Sequence, residues 1–505
     1  MNPKELENNY QQEKKSFHAY IDKIKKNSIH DIYAIVNTTL IKNPYATNFP
    51  KKFFLKLESI EKENKILLFV KHSAKFYLKQ FYLFFSYLIS FVLYKLFYKK
   101  KPIPKEAIFI DIFFLADNII RDNSLNENYF KDLYPILEKY QQNYIFLPRL
   151  YGVTKNPLKL VKLFNILNVD KRNFLFEFEL LSFKDFLTLC KMILLYPFKA
   201  LRLLQKELTA NDVLFNNELI KDISSVGIEA FSRYLYGKNI AKINSVRKVY
   251  SWSEFQVIER SFNFGVRKTT EDIELTGCQF FLNYETYFNT YVDDIDFEIL
   301  SSPHRVLVNG DYYLIQRENV EYQRGVSLRY QNLFDFDGIE KEESILLLGS
   351  YIENDTLYML KSIQSFDRVI FKNHPAVNLS NLGVLPLNIK LSSDNIYELF
   401  KNASLVIGTA SGTCVEAVAC GVSVIVIASQ DNLTSNSLVE YGKGEIWDIA
   451  FSKDDVEKLY NKLLNYRKEN RSRILEIASW YRENLFVEPT EENIIKAFEL
   501  EGLKK

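Results

Sequence analysis

One stretch of the chain, residues 405–428, constrains the fold more than any other. In order, it contains an apolar, β-branched run (405–407), a turn made only of Gly, Ala, Ser and Thr (408–412), a segment of helical spacing (413–420) that ends at Gly421, and a second apolar run (422–428). Apolar runs of this kind are typical of buried parallel strands, and Gly suits the position that follows a helix. The pattern predicts part of a doubly wound α/β domain.

The predicted turn also indicates a binding site. Where a parallel strand leads into a helix, backbone N–H groups and the positive end of the helix dipole face outward at the carboxyl edge of the sheet and bind anions. Because the turn residues are small, a ligand can approach the main chain closely. The sequence Lys372-Asn373-His374-Pro375 lies upstream. We therefore predict a nucleotide site in the second half of the chain.

These motifs carry a resemblance to a known family. His374-Pro375, followed by Ser411-Gly412-Thr413-x-x-Glu416-Ala-x-x-x-Gly421, resembles the donor-binding domain of GT-B glycosyltransferases. It is similar, more narrowly, to the Kdo transferases and polysialyltransferases that use CMP-activated acidic sugars. The resemblance covers about residues 107 to 470. It implies that His374, Ser411 and Thr413 hold the CMP phosphate and that Glu416 meets the ribose or base.

The resemblance also bears on the donor sugar. Retaining GT-B enzymes of the commoner hexose type carry a second Glu eight residues after the first, and this chain has Val424 there. That departure argues against a hexose donor of that kind. Lys372 and Gly412 complete the predicted phosphate site, since a cation and open main-chain N–H groups stabilise a leaving phosphate.

Alternating apolar runs and helical patterns in both halves predict two doubly wound sheets that face each other across a cleft. The predicted strands lie at 107–113, 144–147, 248–250, 273–275, 305–308, 344–349 and 368–371. We predict a helical, lysine-rich extension (1–105), an N-terminal acceptor-side Rossmann-like domain (106–335), a C-terminal nucleotide-sugar domain (336–480) and a helical tail (481–505). The predicted hinge is 334–343. In GT-B proteins such a tail braces the first domain.

A second cluster lies in the first predicted domain. Glu254-x-Gln256-x-x-Glu259 and the Gly-x-Gln279 turn resemble segments of bacterial surface-carbohydrate glycosyltransferases. The resemblance implies that Gln256 and Gln279 lie on the acceptor side. Relatives often have His directly after the Gly-x-Gln, whereas this chain has Phe280.

Glycosyl transfer also needs a base or a carboxylate nucleophile, and Glu254 and Glu259 are the candidates. On one helical pattern they would lie about 140° apart, so both cannot face the same cleft squarely. Glu259 interrupts an apolar stripe, where an acid is costly unless it is paired or functional. An acidic sugar needs a cation for its carboxylate, for which the candidates are Arg329, Arg260 and Arg267.

Charge is spread unevenly along the chain. Residues 65–105 contain nine lysines and no acid, and the uncharged run 81–94 within them is shorter than the roughly 20 residues of a spanning helix. A second stretch, 186–206, repeats the pattern with four basic residues and no acid. Aromatics flanked by lysines suit a helix in the headgroup region of an anionic membrane. The alternative is a pair of buried helices whose lysines reach outward.

Length and composition limit the classes of protein to which the chain can belong. At 505 residues the chain is too long for one core, and a net charge of +2 shows no bias toward nucleic acid. Four cysteines without metal or disulfide spacing favour a reducing cytoplasm. The N-terminus lacks the apolar core of a signal peptide. His18, His30 and His72 have no ligand spacing, and 293–296 predicts a solvated loop rather than a metal site, so we expect no metal and no cofactor.

We therefore expect a GT-B glycosyltransferase at the cytoplasmic face of the inner membrane. It would move Kdo or another ulosonic acid from a CMP-linked donor, its substrate, to a lipid-linked or oligosaccharide acceptor of a capsule or lipopolysaccharide. Two alternatives stay open: a CDP-glycerol or CDP-ribitol phosphotransferase, and a catalytically inactive GT-B scaffold of a polysaccharide assembly complex. The acceptor, the linkage and the stereochemistry are open as well.

Overall fold

Two separate parallel sheets organise the chain. The computed structural model describes residues 2–28, 31–55, 63–151, 156–336 and 344–500. The first sheet consists of β1 (Ile108–Leu115), β2 (Tyr144–Tyr151), β3 (Asn173–Phe174), β4 (Lys248–Trp252), β5 (Glu274–Gln279), β6 (Arg305–Val308) and β7 (Glu321–Arg324). The second consists of β8 (Ser344–Leu348), β9 (Val369–Lys372), β10 (Ile389–Leu391), β11 (Ala403–Gly408), β12 (Ser423–Ile427) and β13 (Trp447–Ala450).

Helices precede, cover and follow these sheets. Up to the second sheet they are α1 (Pro3–Asn27), α2 (Ile32–Ile35), α3 (Phe49–Phe54), α4 (Lys65–Phe97), α5 (Ala116–Asp122), α6 (Leu133–Lys139), α7 (Pro157–Val169), α8 (Glu177–Leu180), α9 (Phe183–Ala200), α10 (Ala210–Asp222), α11 (Ile228–Ile240), α12 (Val257–Arg267), α13 (Asp294–Glu298) and α14 (Gln331–Phe334). Beyond it they are α15 (Glu353–Ser362), α16 (Ile396–Asn402), α17 (Thr413–Ala419), α18 (Lys453–Glu469), α19 (Arg471–Leu485) and α20 (Glu491–Ala497).

Both sheets have the same winding. The strand orders are β3-β2-β1-β4-β5-β6-β7 and β10-β9-β8-β11-β12-β13, and every described pair is parallel. Each order reverses once, between β1 and β4 and between β8 and β11, and ligands of such sheets bind outside the carboxyl ends of the strands at that reversal. The predicted α/β class is confirmed, and two such domains joined at their carboxyl edges form the GT-B architecture.

The strands that the sequence pattern missed are at or near the sheet edges. β7 reads Glu-Tyr-Gln-Arg and is largely exposed, β3 has two residues, and β10 has three. An edge strand has one pairing partner and little buried surface, so it lacks the apolar run that marks a central strand. The predicted hinge at 334–343 falls largely on residues 337–343, which lie outside the described residues.

The first 55 residues pack on both domains rather than apart from them. Phe17 of α1 shares a buried aromatic cluster with Phe54 of α3 and with Phe288 of the first domain, and Leu433 of the second domain joins the same cluster. Farther along, the Tyr45 hydroxyl donates to the Leu433 carbonyl at 3.2 Å. This N-terminal segment therefore links the two domains on one side of the cleft.

The end of the chain also links the two domains. α19 packs on α17 of the second domain. The chain then returns to the first domain, where Val487 N donates to Ser327 Oγ and Ser327 N donates to the Val487 carbonyl, each at 2.9 Å. The Tyr250 hydroxyl of β4 donates to the Phe498 carbonyl, also at 2.9 Å.

Helices α11 and α12 touch through two glycines. A Cβ on Gly265 would lie 2.3 Å from the Tyr234 carbonyl oxygen, and one on Gly237 would lie 2.4 Å from the Phe262 carbonyl oxygen. Because these contacts are backbone atoms of the facing helix, a Cβ at either position would push the two helices apart. We expect Gly265→Ala to lower the free energy of unfolding by about 3 kcal/mol, measured by urea denaturation.

Gly227→Ala, at the N-cap of the same helix α11, is the matched control. A Cβ there meets only the Glu229 side chain, which can rotate away. The loss should be about 1 kcal/mol or less. Equal losses in the two variants would show that the close approach of α11 and α12 does not stabilise the fold.

Candidate active site at the interdomain cleft

The predicted phosphate ligands lie together at the carboxyl edge of the second sheet. His374 follows β9, and residues 409–412 join β11 to α17. A Cβ on Gly349, directly after β8, would lie 2.9 Å from the His374 backbone N. Glycine at this position thus lets the ends of β8 and β9 come close together. The imidazole and the small-residue turn flank the point where the strand order reverses.

His374 is held as a hydrogen-bond donor. Its Nδ1 accepts from the Ala376 backbone N at 3.1 Å, so in the neutral ring the proton is on Nε2. Burial lowers the pKa of the imidazole below its ordinary value, which keeps the ring neutral near pH 7. A neutral imidazole with a free Nε2–H is suited to donate to a phosphate oxygen.

The turn beside it is held by a loop of the same domain. Ala410 has a left-handed backbone with φ of 48°, a conformation that costs a non-glycine residue on the order of 1–3 kcal/mol. Ala410 N donates to the Ser435 carbonyl at 2.9 Å, and Ser437 Oγ donates to the Ser411 carbonyl at 3.1 Å. Gly412 lies against Leu282 of the first domain, so a Cβ there would sit 3.3 Å from the Leu282 Cβ.

Two other predicted donor ligands already have partners. Lys372 Nζ donates to the Asp394 carbonyl, in the segment that follows β10, at 2.6 Å. The Glu416 carboxylate accepts from the Tyr397 hydroxyl at 2.5 Å. Burial raises the pKa of Glu416, while Tyr397 and the charge of Arg329 lower it in part. Glu416 therefore lies within the electrostatic reach of the first domain.

On the first-domain side, Arg329 and Glu254 lie at the cleft. Arg329 is exposed, and its guanidinium carbon is 5.5 Å from the ring centres of both Tyr129 and Trp252. Glu254 follows β4; burial raises its pKa, and Arg149 and Arg329 lower it in part. The guanidinium of Arg329 is thus held against two aromatic rings and remains open to an anionic ligand.

The structure separates the two predicted catalytic acids. Glu254 precedes α12, which begins at Val257, so the predicted single helix with a 140° offset is wrong. Glu259 lies inside α12, is 1% exposed and is ion-paired with Arg149. Arg149 Nε also lies 3.6 Å from Asp111 Oδ1. Glu259 therefore belongs to a buried charge network beneath the cleft, whereas Glu254 lies at its edge.

The buried acid makes stability depend on pH. Burial raises the pKa of Glu259 to about 7, even though the nearby charge of Arg149 acts to lower it. In the unfolded chain the carboxyl has a pKa of about 4.3. Between those values the folded state binds more protons than the unfolded state, so this group's contribution to stability falls as pH rises.

We expect the free energy of unfolding of the unmodified protein, relative to Glu259→Gln, to decrease from about pH 5 to about pH 8. Urea denaturation of both proteins at each pH measures this difference. A difference that does not change with pH would place the Glu259 pKa near its ordinary value.

Three predicted arginine and aspartate roles are corrected. Arg260 is buried, pairs with Asp296 at 2.6 Å and donates to the Phe255 carbonyl at 2.8 Å, so the proposed contact with a sugar carboxylate does not fit. Arg267 stacks on Phe297, with its guanidinium carbon 3.9 Å from the ring centre. Asp296 does not lie in a solvated loop: it is 1% exposed, within α13, and also pairs with Lys25.

The predicted acceptor-side glutamines both contact protein groups, and Gln279 is buried. Gln279 Nε2 donates to the Thr290 carbonyl at 2.5 Å and is buried. Gln256 Oε1 accepts from Asn43 Nδ2 of the N-terminal segment at 3.4 Å. Phe280, at the position where relatives have His, is fully buried beside Phe130 and Phe498. Gln279 and Phe280 therefore support the loops of the first domain from within.

A tyrosine cluster that the sequence did not indicate closes over His374. The hydroxyls of Tyr287 and Tyr351 are hydrogen-bonded across the two domains. Tyr45 stacks on Tyr287 with 5.2 Å between ring centres, and Tyr351 lies 6.0 Å from the His374 ring. Burial raises the pKa of Tyr287, and the charge of Glu254 adds to that rise, so the cluster reaches from His374 toward Glu254. No local motif marks it, since the three tyrosines are far apart in the chain.

Two cavities adjoin these residues. The smaller, about 170 Å³, lies at the carboxyl end of β1 and is lined by Leu115, Asn118, Glu127, Tyr129 and Arg329, among others. The larger, about 690 Å³, lies between α1, the loop 283–291 and the segment 434–451. Among the described residues, no group of three or more His, Cys, Asp or Glu side chains is placed to hold a metal ion.

No family model and no curated protein sequence matches this chain. Among solved structures, a UDP-GlcNAc 2-epimerase from Methanocaldococcus jannaschii is similar with a TM-score of 0.42 and 12% identity, over 78% of this chain and 99% of that one.

The wall teichoic acid polymerase TagF is similar with a TM-score of 0.40 and 11% identity, over 88% of this chain and 99% of that one. The spinosyn rhamnosyltransferase SpnG is similar with a TM-score of 0.40 and 9% identity, over 78% of this chain and 100% of that one. These likenesses are distant, and the two-domain architecture is established by the strand order of the chain itself.

Proposed function

We propose that this protein is a glycosyltransferase that moves an acidic sugar from a CMP-activated donor to a growing surface glycan. One observation carries the proposal: the exposed Arg329 lies over the rings of Tyr129 and Trp252 and lines the cavity at the carboxyl end of β1, while His374 and the turn at 411–413 lie at the carboxyl edge of the second sheet. An exposed cation opposite a phosphate-type site supports a substrate that has both a phosphate and a carboxylate.

Each group then has a role in the transfer. The His374 Nε2–H and the main chain of the turn stabilise the phosphate as the bond between the anomeric carbon and the phosphate oxygen breaks. Arg329 holds the carboxylate of the sugar. Glu254 accepts the proton of the acceptor hydroxyl as the new glycosidic bond forms. Glu416 meets the ribose or base, since Tyr397 fixes its carboxylate.

The sugar most consistent with these roles is Kdo or another ulosonic acid, and the acceptor is a lipid-linked or oligosaccharide chain of a capsule or lipopolysaccharide. In this proposal the protein works in the cytoplasm and uses no cofactor. Glu259, Arg260 and Gln279 support the first domain from within and do not contact the substrates.

A nucleotide titration tests the proposal. The purified protein is titrated calorimetrically with CMP, UMP, CDP and UDP. We expect CMP to bind most tightly. Preference for CDP would favour a CDP-glycerol or CDP-ribitol phosphotransferase instead. Absence of binding to all four would leave the inactive scaffold as the better explanation and would overturn the enzyme proposal.

A further inference from the structure

Helix α4 has one buried face and one exposed face. Its length of 33 residues and its composition are sufficient to cross a membrane. However, one face is buried against the first domain, through Leu68, Phe76, Leu83, Tyr87 and Tyr94, among others. Gln80 on that face donates to the Val226 carbonyl at 2.8 Å. A helix tied to the protein in this way along its length cannot be surrounded by lipid without unpacking the domain.

The opposite face of α4 is a continuous apolar row. Leu67 and Val70 begin it, the exposed Ala74 follows, and from there the exposed large side chains recur every three or four residues: Leu78, Tyr82, Phe85, Ile89, Val92 and Leu96. This spacing places them on one stripe of the helix. Leu78, the most exposed of them, has 78% of its surface accessible. Soluble proteins seldom leave so long an apolar row uncovered.

Helix α9 extends the same surface. It runs antiparallel to α4, with Phe186 5.1 Å from Phe91 and Phe198 5.7 Å from Phe69 between ring centres. Its own exposed row comprises Phe183, Leu187, Leu194 and Phe198. Of the large hydrophobic side chains that are exposed in the described part of the chain, more than half lie on these two helices.

Lysines interleave with the apolar rows. Lys71, Lys75 and Lys79 are exposed on α4, and Lys191 is exposed on α9. Within the described residues, none of these four forms a salt bridge. α4 contains no acid, and the acid of α9, Asp185, caps its own helix. The surface is therefore both apolar and uniformly basic.

We propose that this α4–α9 face docks flat on an anionic lipid bilayer, with its apolar rows among the acyl chains near the headgroups and its lysines on the lipid phosphates. The match in charge favours a bilayer over a second copy of this chain, because two copies placed face to face would oppose lysines with no acid to pair them. The apolar and basic composition is that of an interfacial helix. The inference is independent of the proposed activity, since no residue of the cleft takes part in it.

Vesicle sedimentation of the full chain tests the proposal. The protein is mixed with vesicles of phosphatidylcholine alone, or of phosphatidylcholine with phosphatidylglycerol, at low and high salt. We expect it to sediment with the anionic vesicles, less so at high salt and much less with phosphatidylcholine alone. The double variant Leu78→Glu/Phe85→Glu should bind the anionic vesicles at least about tenfold more weakly.

Matched controls separate docking from folding. Leu387→Glu changes a leucine of the second domain that is more exposed than Leu78, and this variant should bind the vesicles as the unmodified protein does. Because both altered α4 side chains are exposed, the thermal midpoint of the double variant should stay close to that of the unmodified protein. Lys71→Ala/Lys75→Ala/Lys79→Ala should weaken anionic binding and reduce its salt dependence.

Three results would overturn the proposal. They are equal binding of the double variant and the unmodified protein, failure of the unmodified protein to bind anionic vesicles, and a lipid-independent dimer, seen by analytical ultracentrifugation, that the double variant abolishes. The last would assign this face to a second copy of the chain.

Discussion

Glu254→Gln is expected to lower the rate of glycosyl transfer by about 10²–10⁴-fold, because it removes the group that accepts the proton of the acceptor hydroxyl. The amide keeps the size of the side chain, so the nucleotide affinity should not change. The measurement is CMP release from CMP-Kdo in the presence of a Kdo-terminated oligosaccharide. Because burial raises the pKa of Glu254, the rate of the unmodified protein should fall on the acid side at a higher pH than for an exposed carboxylate.

Glu259→Gln is the matched control for this prediction. Both are glutamates of one short segment, but Glu259 is buried against Arg149, and its loss should affect stability rather than turnover. A fall in turnover of similar size in a folded Glu259→Gln protein, with Glu254→Gln unaffected, would move the catalytic role to the buried network.

His374→Ala is expected to weaken the binding of CMP by about 10- to 100-fold, the usual range for a lost hydrogen bond to a charged group. The ring presents its Nε2–H because Nδ1 is occupied by the Ala376 backbone N. Isothermal titration with CMP measures the loss. His374→Gln retains an N–H donor and should recover part of the affinity.

Lys372→Ala provides the contrast. The ammonium is held on the Asp394 carbonyl, so its removal should change CMP affinity less than twofold to threefold, roughly the scale of a screened surface charge. If His374→Ala bound CMP as tightly as the unmodified protein, the phosphate would not lie at His374. A large loss in Lys372→Ala alone would show that the lysine swings toward the nucleotide.

Central strands and the nucleotide turn were predictable from the sequence. The predicted strand at 305–308 matches β6, and the apolar runs around the turn match β11 and β12 to within two residues at each end. Short, buried strands can be recognised in the sequence because most of their residues are apolar. The sequence pattern did not predict β7 and β10, because most of their side chains are at least partly exposed. Pairing with a neighbouring strand, rather than burial of apolar side chains, keeps them extended.

Polar residues of the first domain were harder to place. The sequence marked Glu254, Glu259 and Arg260 within one segment but could not say which of them face the cleft. In the structure, α12 begins only at Val257, so Glu254 stays in the loop while Glu259 and Arg260 turn inward to Arg149 and Asp296. Glu259 does lie at a buried position of the helix, and its charge is paired there with the buried Arg149.

By itself, the sequence determined what depends on neighbours along the chain: two sets of parallel strands, the small-residue turn before α17, and the apolar, lysine-rich pattern of α4. Only the tertiary structure decided what depends on distant contacts. It brought Tyr45, Tyr287 and Tyr351 together over His374, placed Arg329 over the rings of Tyr129 and Trp252, and buried one face of α4 while leaving the other exposed. The periodicity of apolar residues shows that a helix or strand has a buried face. Which groups pack against that face depends on contacts between residues that are far apart in the sequence.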